Sequence, residues 1–172
     1  AGGGTDILQA QYHHVKDIDA VELNPQIIQL AQQDYGDYTG RLYDQDNVNV
    51  HIADVRDYLS ASQDRYNLIQ LALVDGFNAT TSGVHALNES YLYTVEAIQS
   101  YLKHLEPDGY LVLSRWVKLP PRDTLKLFAT VVVALQENGV ENPAQRLVLI
   151  RSWQTSTLLV KQGDFNLEEL QS

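Results

Sequence analysis

Gly2-Gly3-Gly4 stands at the start of the chain, and Glu22 lies near the end of the apolar-rich segment Ile18 to Leu23, 18 residues after the last of these glycines. This spacing constrains the fold more than any other feature. It joins a glycine-rich turn that opens a helix to an acid that ends the next strand, the arrangement of a nucleotide-binding α/β domain. Glycine lets the N–H groups of a helix N-terminus approach a ligand closely, and a carboxylate at the following strand end can accept both hydroxyls of a ribose. Three glycines alone are a weak signal. Asp54 and Asp75 strengthen it by falling where such a fold ends its third and fourth strands.

The rest of the chain alternates strand and helix patterns without repeats or low-complexity tracts, which predicts a doubly wound α/β sheet. Helix is expected over Asp6 to His14 and strand over Ile18 to Leu23. Asn24 is a suitable N-cap and Pro25 a suitable first helical residue, so helix is expected over Gln26 to Asp34. Strand follows at Val48 to Ile52, then a helix containing Tyr58 and Leu59, and a strand from Tyr66 to Val74. Asn88 is a candidate cap for a helix reaching Leu105, with Leu92, Val95, Ile98, Leu102 and Leu105 at helical spacing. Pro107-Asp108-Gly109 reads as a turn into a strand at Tyr110 to Ser114. A helix from Asp123 to Asn138 closes at Gly139, and Arg146 to Trp153 with Thr157 to Lys161 reads as an antiparallel hairpin. A mostly parallel sheet ending in such a hairpin is the methyltransferase-like, Rossmann-type variant of the fold. That variant places a strand before the glycine turn. The chain begins after it, so a first strand missing from this stretch, and a fragment of a longer protein, are expected.

Composition narrows the chemistry. With 172 residues, 44% of them hydrophobic, the chain is long enough to bury one sizeable core, and a single domain over 1–172 is expected. It has no cysteine, which excludes disulfides, thiolate metal sites and a cysteine nucleophile. His13, His14, His51, His85 and His104 have no metal-ligand spacing, so no metal is expected. Ser60, Ser62 and Ser82 lack a nucleophile-elbow pattern, and no glycine-lysine phosphate loop exists. A net charge of −10 repels a phosphate backbone, which argues against nucleic acid as a partner, and no apolar run is long enough to span a bilayer.

The order and spacing of several motifs resemble the spermidine synthase family, the polyamine aminopropyltransferases, in a divergent bacterial form. They are Gly2-Gly3-Gly4, Val21-Glu22, Asp54 followed by Tyr58-Leu59, Tyr66-Asn67-Leu68-Ile69 leading to Asp75, and Leu105-Glu106-Pro107-Asp108-Gly109. The resemblance implies a class I S-adenosylmethionine-dependent methyltransferase fold, with decarboxylated S-adenosylmethionine or S-adenosylmethionine itself as co-substrate. It implies that Gly2, Gly3 and Gly4 form the cofactor turn, that Glu22 accepts the ribose hydroxyls, and that Asp54 accepts the adenine amino group. Asp75 takes the place of the acid that deprotonates the attacking amine of a polyamine. The chain departs from the family pattern in three respects. Thr5-Asp6-Ile7 stands where the family follows its glycines with Asp-Gly-Gly, whose aspartate holds the ammonium of the transferred group. Ala72 replaces an acid three residues before Asp75, and Gly76 replaces a proline after it. The family's small N-terminal β domain has no counterpart in the chain.

Each candidate has a plainer role to set beside the functional one. Asp54 is a natural helix cap, and Asp75-Gly76 a natural turn. Tyr91 and Tyr93 read as packing residues, while Arg115-Trp116 and Pro121-Arg122 sit at the rim where α/β sheets bind ligands. Three functions remain open at this point: aminopropyl transfer to a polyamine or other amine, methyl transfer from S-adenosylmethionine, and a non-catalytic sensing or association domain. A homo-oligomer is expected from unsatisfied sheet edges. The suspected cofactor implies a cytoplasmic setting, with further domains of a longer, membrane-associated protein as an alternative context.

Overall fold

Short strands and amphipathic helices follow one another in the order that the hydrophobic pattern predicts. The computed structural model describes residues 1–73 and 91–171, and its packing divides the chain into two units, Ala1–Ser62 and Gln63–Ser172.

In the first unit, helix α1 (Thr5–Tyr12) starts directly at Gly4, which adopts a left-handed conformation with φ 85°. Strand β1 (Ile18–Glu22) runs parallel to β2 (Val48–Ile52), in a register from Ile18 opposite Val48 to Glu22 opposite Ile52. Side chains alternate along each strand, so Ile18, Ala20, Val48 and Val50 share one face. There they pack with Ile7 of α1, Ile28 of helix α2 (Pro25–Gln29), and Leu42 and Tyr43 of a short 3-10 turn (Leu42–Asp44). The opposite face carries Asp19 and His51, whose side chains lie 3.0 Å apart, with the ring of Tyr58 from α3 (Val55–Ala61) 4.5 Å from that of His51.

Asn24 caps α2 as expected, its side chain accepting from the Gln26 N–H at 2.9 Å. The predicted single helix over Gln26 to Asp34 instead widens after Gln29 into a π turn (Leu30–Asp34). The Tyr35 N–H reaches back to the Leu30 carbonyl at 2.8 Å, while the Thr39 hydroxyl lies 3.1 Å from the Gly36 carbonyl and 3.3 Å from that of Ala31, shared between the two. The Ala31 carbonyl, released from the usual α-helical bond to Tyr35, thus has the Thr39 hydroxyl within reach.

The second unit holds a mixed sheet in the order β3-β4-β6-β5, formed by β3 (Tyr66–Ala72), β4 (Leu105–Trp116), β5 (Leu147–Arg151) and β6 (Thr155–Lys161). Strands β3 and β4 are parallel, and β6 is antiparallel to both β4 and β5, so the expected terminal hairpin is present. Helices α4 (Val95–Lys103) and α5 (Arg122–Glu137) supply the apolar faces that cover it. Ile98, Tyr101, Leu102, Leu111, Leu113, Val131, Leu135, Leu158 and Val160 are fully buried. Thr94 caps α4 through a bond from the Ala97 N–H. The proposed cap Asn88, and Val74 at the end of the strand expected over Tyr66 to Val74, lie outside the described residues.

Pro107-Asp108-Gly109 forms a bulge inside β4 rather than a turn before it. Tyr66 pairs with Leu105 and Leu68 with Tyr110, so Glu106 to Gly109 loop out between two rungs of one ladder. A Cβ on Gly109 would lie 2.9 Å from the Glu106 carbonyl oxygen and 3.0 Å from that of Tyr66, which explains the glycine. The C-terminal stretch is tied to the sheet by Lys161, whose buried ammonium donates to both carboxylate oxygens of Glu169 at 2.8 and 2.9 Å. Tyr110 donates to the same carboxylate at 2.7 Å. Among the described residues, no helix is long and apolar enough to cross a membrane.

Two stability predictions follow from this packing. Leu113→Ala, in the fully buried centre of β4, should destabilise the protein by about 2–5 kcal/mol in chemical denaturation. The Lys161 ammonium, the Asn166 N–H and the Tyr110 hydroxyl hold the Glu169 carboxyl down at about 2, against an ordinary value of 4.5. A depressed carboxyl stabilises the fold above its unfolded value and loses that contribution as pH falls through the folded one. Glu169→Gln should therefore lower Tm at pH 7, and the difference from wild type should shrink steadily between pH 4.5 and pH 2.

Candidate nucleoside site

The glycine turn and Glu22 are joined directly. The Gly2 N–H donates to one carboxylate oxygen of Glu22 at 2.7 Å, and the Asn24 N–H donates to the other at 2.9 Å. Gly2 and Gly4 both have left-handed backbones, with φ 55° and 85°. A side chain at Gly4 would be strained by that conformation, and its Cβ would lie 2.7 Å from Leu42 Cδ2. Glycine is therefore required where the chain turns into α1 over the Leu42-Tyr43 pair. Burial pushes the Glu22 carboxyl up, while the N–H groups of Asn24 and Gly2 pull it down, and Glu22 is held below its ordinary value. It is a fixed carboxylate at the C-terminal end of a parallel strand, where α/β folds gather ligands.

Asp54 lies one strand over. The Glu22 carbonyl accepts the Ala53 N–H at 3.1 Å, which fastens the end of β2 beside the end of β1. The Asp54 side chain caps α3 by accepting from the Arg56 N–H at 2.8 Å. Capping engages one lone pair of one oxygen, so the carboxylate keeps capacity for a further donor. Gly2 to Gly4, Glu22 and Asp54 are thus all placed within the first unit, along the loops that follow β1 and β2 and precede α1.

Tyr43 was not singled out by the sequence. It is 3% exposed, and its hydroxyl donates to the Gly2 carbonyl at 2.6 Å. Burial, then the charges of Glu22 and Asp6, push this phenol up to about 12. Asp6, in the first turn of α1, therefore directs its field toward the same glycine turn. The available signal is the Leu42-Tyr43 pair, which holds the single aliphatic side chain of the stretch between Asp34 and Asn47.

Within the second unit, Asp75 lies outside the described residues. The residue that precedes them, Leu73, has φ 45°, a left-handed conformation that costs a side-chain-bearing residue about 1–2 kcal/mol. Arg115 lies 4.6 Å above the ring of the buried Tyr93, as the packing reading of that tyrosine expects, whereas Tyr91 is exposed. Trp116, Val117, Lys118 and Gln154 line a cavity of about 190 Å³, below the roughly 300 Å³ at which small-molecule sites begin. Arg122 begins α5 on the surface. Among the described residues, no group of three or more His, Asp or Glu is placed to hold a metal ion.

The family model of the spermine/spermidine synthase domain matches residues 2–161. The chain belongs to this family. No curated protein matches it. Among solved structures, human methyltransferase-like protein 13 in complex with SAH is 22% identical, covering 99% of this chain and 73% of that one, with a TM-score of 0.66. Spermidine synthase from Thermotoga maritima is 18% identical over 98% of this chain and 54% of its own, with a TM-score of 0.59. A probable spermidine synthase from Corynebacterium glutamicum is 15% identical over 96% and 55%, with a TM-score of 0.66. The family member described here therefore spans a little over half the length of these two synthases. These likenesses establish the α/β, methyltransferase-like fold that the strand order and hairpin predict.

Gly4→Ala should cost this family member about 1–2 kcal/mol in stability through its left-handed backbone alone, measured by chemical denaturation. Asp54→Ala, which removes the cap of α3, should cost about 1 kcal/mol by the same measurement.

Proposed function

We propose that this chain is the nucleoside-binding part of a spermidine synthase-like transferase. In this reading the Gly2–Gly4 turn receives the donor, Glu22 accepts its ribose hydroxyls, and Asp54 accepts the adenine amino group. The observation that carries the reading is the bond from the Gly2 N–H to Glu22, which couples the glycine turn to a carboxylate kept ionised. The family match and the fold support an aminopropyl- or methyltransferase-like activity. One solved spermidine synthase of this fold is in complex with the transition-state analogue AdoDATO, and methyltransferase-like protein 13 is in complex with SAH, which favours an S-adenosylmethionine-type ligand here.

For the reaction itself the first reading is aminopropyl transfer from decarboxylated S-adenosylmethionine to a polyamine. The acceptor nitrogen attacks the methylene carbon next to the sulfonium, the carbon–sulfur bond breaks, and the sulfur leaves as a neutral thioether. An amine is protonated near neutral pH, so a carboxylate must hold it in line and take its proton. Asp75 is assigned that role from its place in the sequence. The second reading, methyl transfer from S-adenosylmethionine, is favoured by Thr5-Asp6 in place of the family's Asp-Gly-Gly: Asp6 belongs to the first turn of α1 and is displaced by one residue from the acid that would hold an aminopropyl ammonium. We further assign the protein to the cytoplasm as a homo-oligomer, for which gel filtration giving a compact monomer would be the contrary result.

Calorimetric titration with the two donors separates the readings. Tighter binding of decarboxylated S-adenosylmethionine would support aminopropyl transfer, tighter binding of S-adenosylmethionine would support methyl transfer, and binding of neither by folded protein would defeat both. Glu22→Ala should weaken the preferred donor roughly 10- to 100-fold, the range for a charge-assisted hydrogen bond. Because the Glu22 carboxyl is held below 4.5, wild-type affinity should stay level from pH 8 to pH 5 and decline only at lower pH. Asp75→Asn should lower turnover about 100-fold or more while changing donor affinity little.

A further inference from the structure

The second side of Gly2 carries an inference that rests on the nucleoside reading and deepens it. Gly2 is held at both polar groups: its N–H donates to Glu22 at 2.7 Å, and its carbonyl accepts from the Tyr43 hydroxyl at 2.6 Å. Its left-handed φ of 55° means that the backbone itself has little preference for this geometry over others open to glycine. The orientation of the Gly2–Gly3 peptide is therefore set from outside, by Tyr43 acting on its carbonyl. We propose that Tyr43 is a positioning residue for the donor nucleoside, holding the glycine turn and Glu22 in the ligand-accepting arrangement without touching the ligand.

Three observations point to the hydroxyl and not to the ring alone. The side chain is 3% exposed, so its polar atom is kept out of water at the cost of its hydration unless it is hydrogen-bonded, and its partner is the cofactor turn itself. The ring packs with Leu42 under Gly4, where Cε2 lies 3.4 Å from the position a Cβ would take, so Phe would supply the same packing without the donor. The hydroxyl is also a permanent donor, because burial and the charges of Glu22 and Asp6 keep it protonated to about 12. Tyr43, Gly2 and Glu22 thus form a chain of hydrogen bonds from the 3-10 turn before β2, through the glycine backbone, to the end of β1.

The test uses S-adenosylhomocysteine as probe, with calorimetric affinity and ligand-free Tm measured on wild type, Tyr43→Phe and Leu42→Ala. Leu42→Ala removes packing under the same turn and leaves the hydrogen bond in place. The expected result is a roughly tenfold weaker affinity in Tyr43→Phe with only a small loss of Tm, and a larger loss of Tm in Leu42→Ala. Wild-type affinity retained in Tyr43→Phe would overturn the assignment and leave the nucleoside reading intact. Affinity lost only in step with Tm, in the same proportion as in Leu42→Ala, would reduce Tyr43 to packing and overturn it as well. Failure of folded wild-type protein to bind the probe would remove the nucleoside reading and this inference with it.

Discussion

The hydrogen bond between the Gly2 N–H and the Glu22 carboxylate is the contact on which the candidate site depends. A glycine turn by itself is a flexible segment with an entropic cost of ordering, and an acid at a strand end is by itself a solvated side chain. Joined at 2.7 Å they become one rigid feature, with the carboxylate pinned on its other oxygen by Asn24. The parallel pairing of β1 with β2 then brings the loop of Asp54 alongside, because Glu22 is in register with Ile52 and its carbonyl holds the Ala53 N–H. The apolar face beneath, formed by Ile7, Ala20, Ile28, Leu42 and Val48, is what allows so many polar contacts to be held at the surface of a small unit.

The second unit solves a different problem. Its sheet combines a parallel pair with an antiparallel hairpin, and it is buried under α4 and α5 by residues that are almost all aliphatic. Its polar exceptions have specific partners. Lys161 is anchored by Glu169 and Asp108, and Ser156 meets Thr124 of α5 at 3.0 Å. The Glu106–Gly109 bulge places Asp108 beside that lysine, so a motif that looks like a simple turn also serves the attachment of the C-terminal stretch.

Much of this was legible in the residues. The helix starts at Asn24-Pro25 and Gly4, the stop at Gly139, the parallel strands and the terminal hairpin all follow local rules of capping, backbone freedom and hydrophobic period. The π turn over Leu30–Asp34 is not legible, because no residue within it marks the change from α-helical to wider bonding, and its contacts include a loop hydroxyl eight residues beyond Ala31. The bulge in β4 reads as a turn in the sequence because Pro-Asp-Gly is turn chemistry in either setting. Only the rungs on both sides of it, Tyr66 with Leu105 and Leu68 with Tyr110, distinguish the two.

For the site, the sequence by itself determined the candidates Gly2, Gly3, Gly4, Glu22 and Asp54, since spacing and strand ends are properties of the chain. It also determined the exclusion of cysteine chemistry and the departures at Thr5-Asp6 and Ala72, which are matters of residue identity. Only the tertiary structure decided that Glu22 is bonded to the glycine turn, that Asp54 caps α3 while flanking Glu22, and that Tyr43 holds the Gly2 carbonyl from 41 positions away. The physical reason is that a hydrogen bond between distant residues is made by folding: no local propensity encodes it, and it exists only once a shared apolar core has fixed both partners within 3 Å.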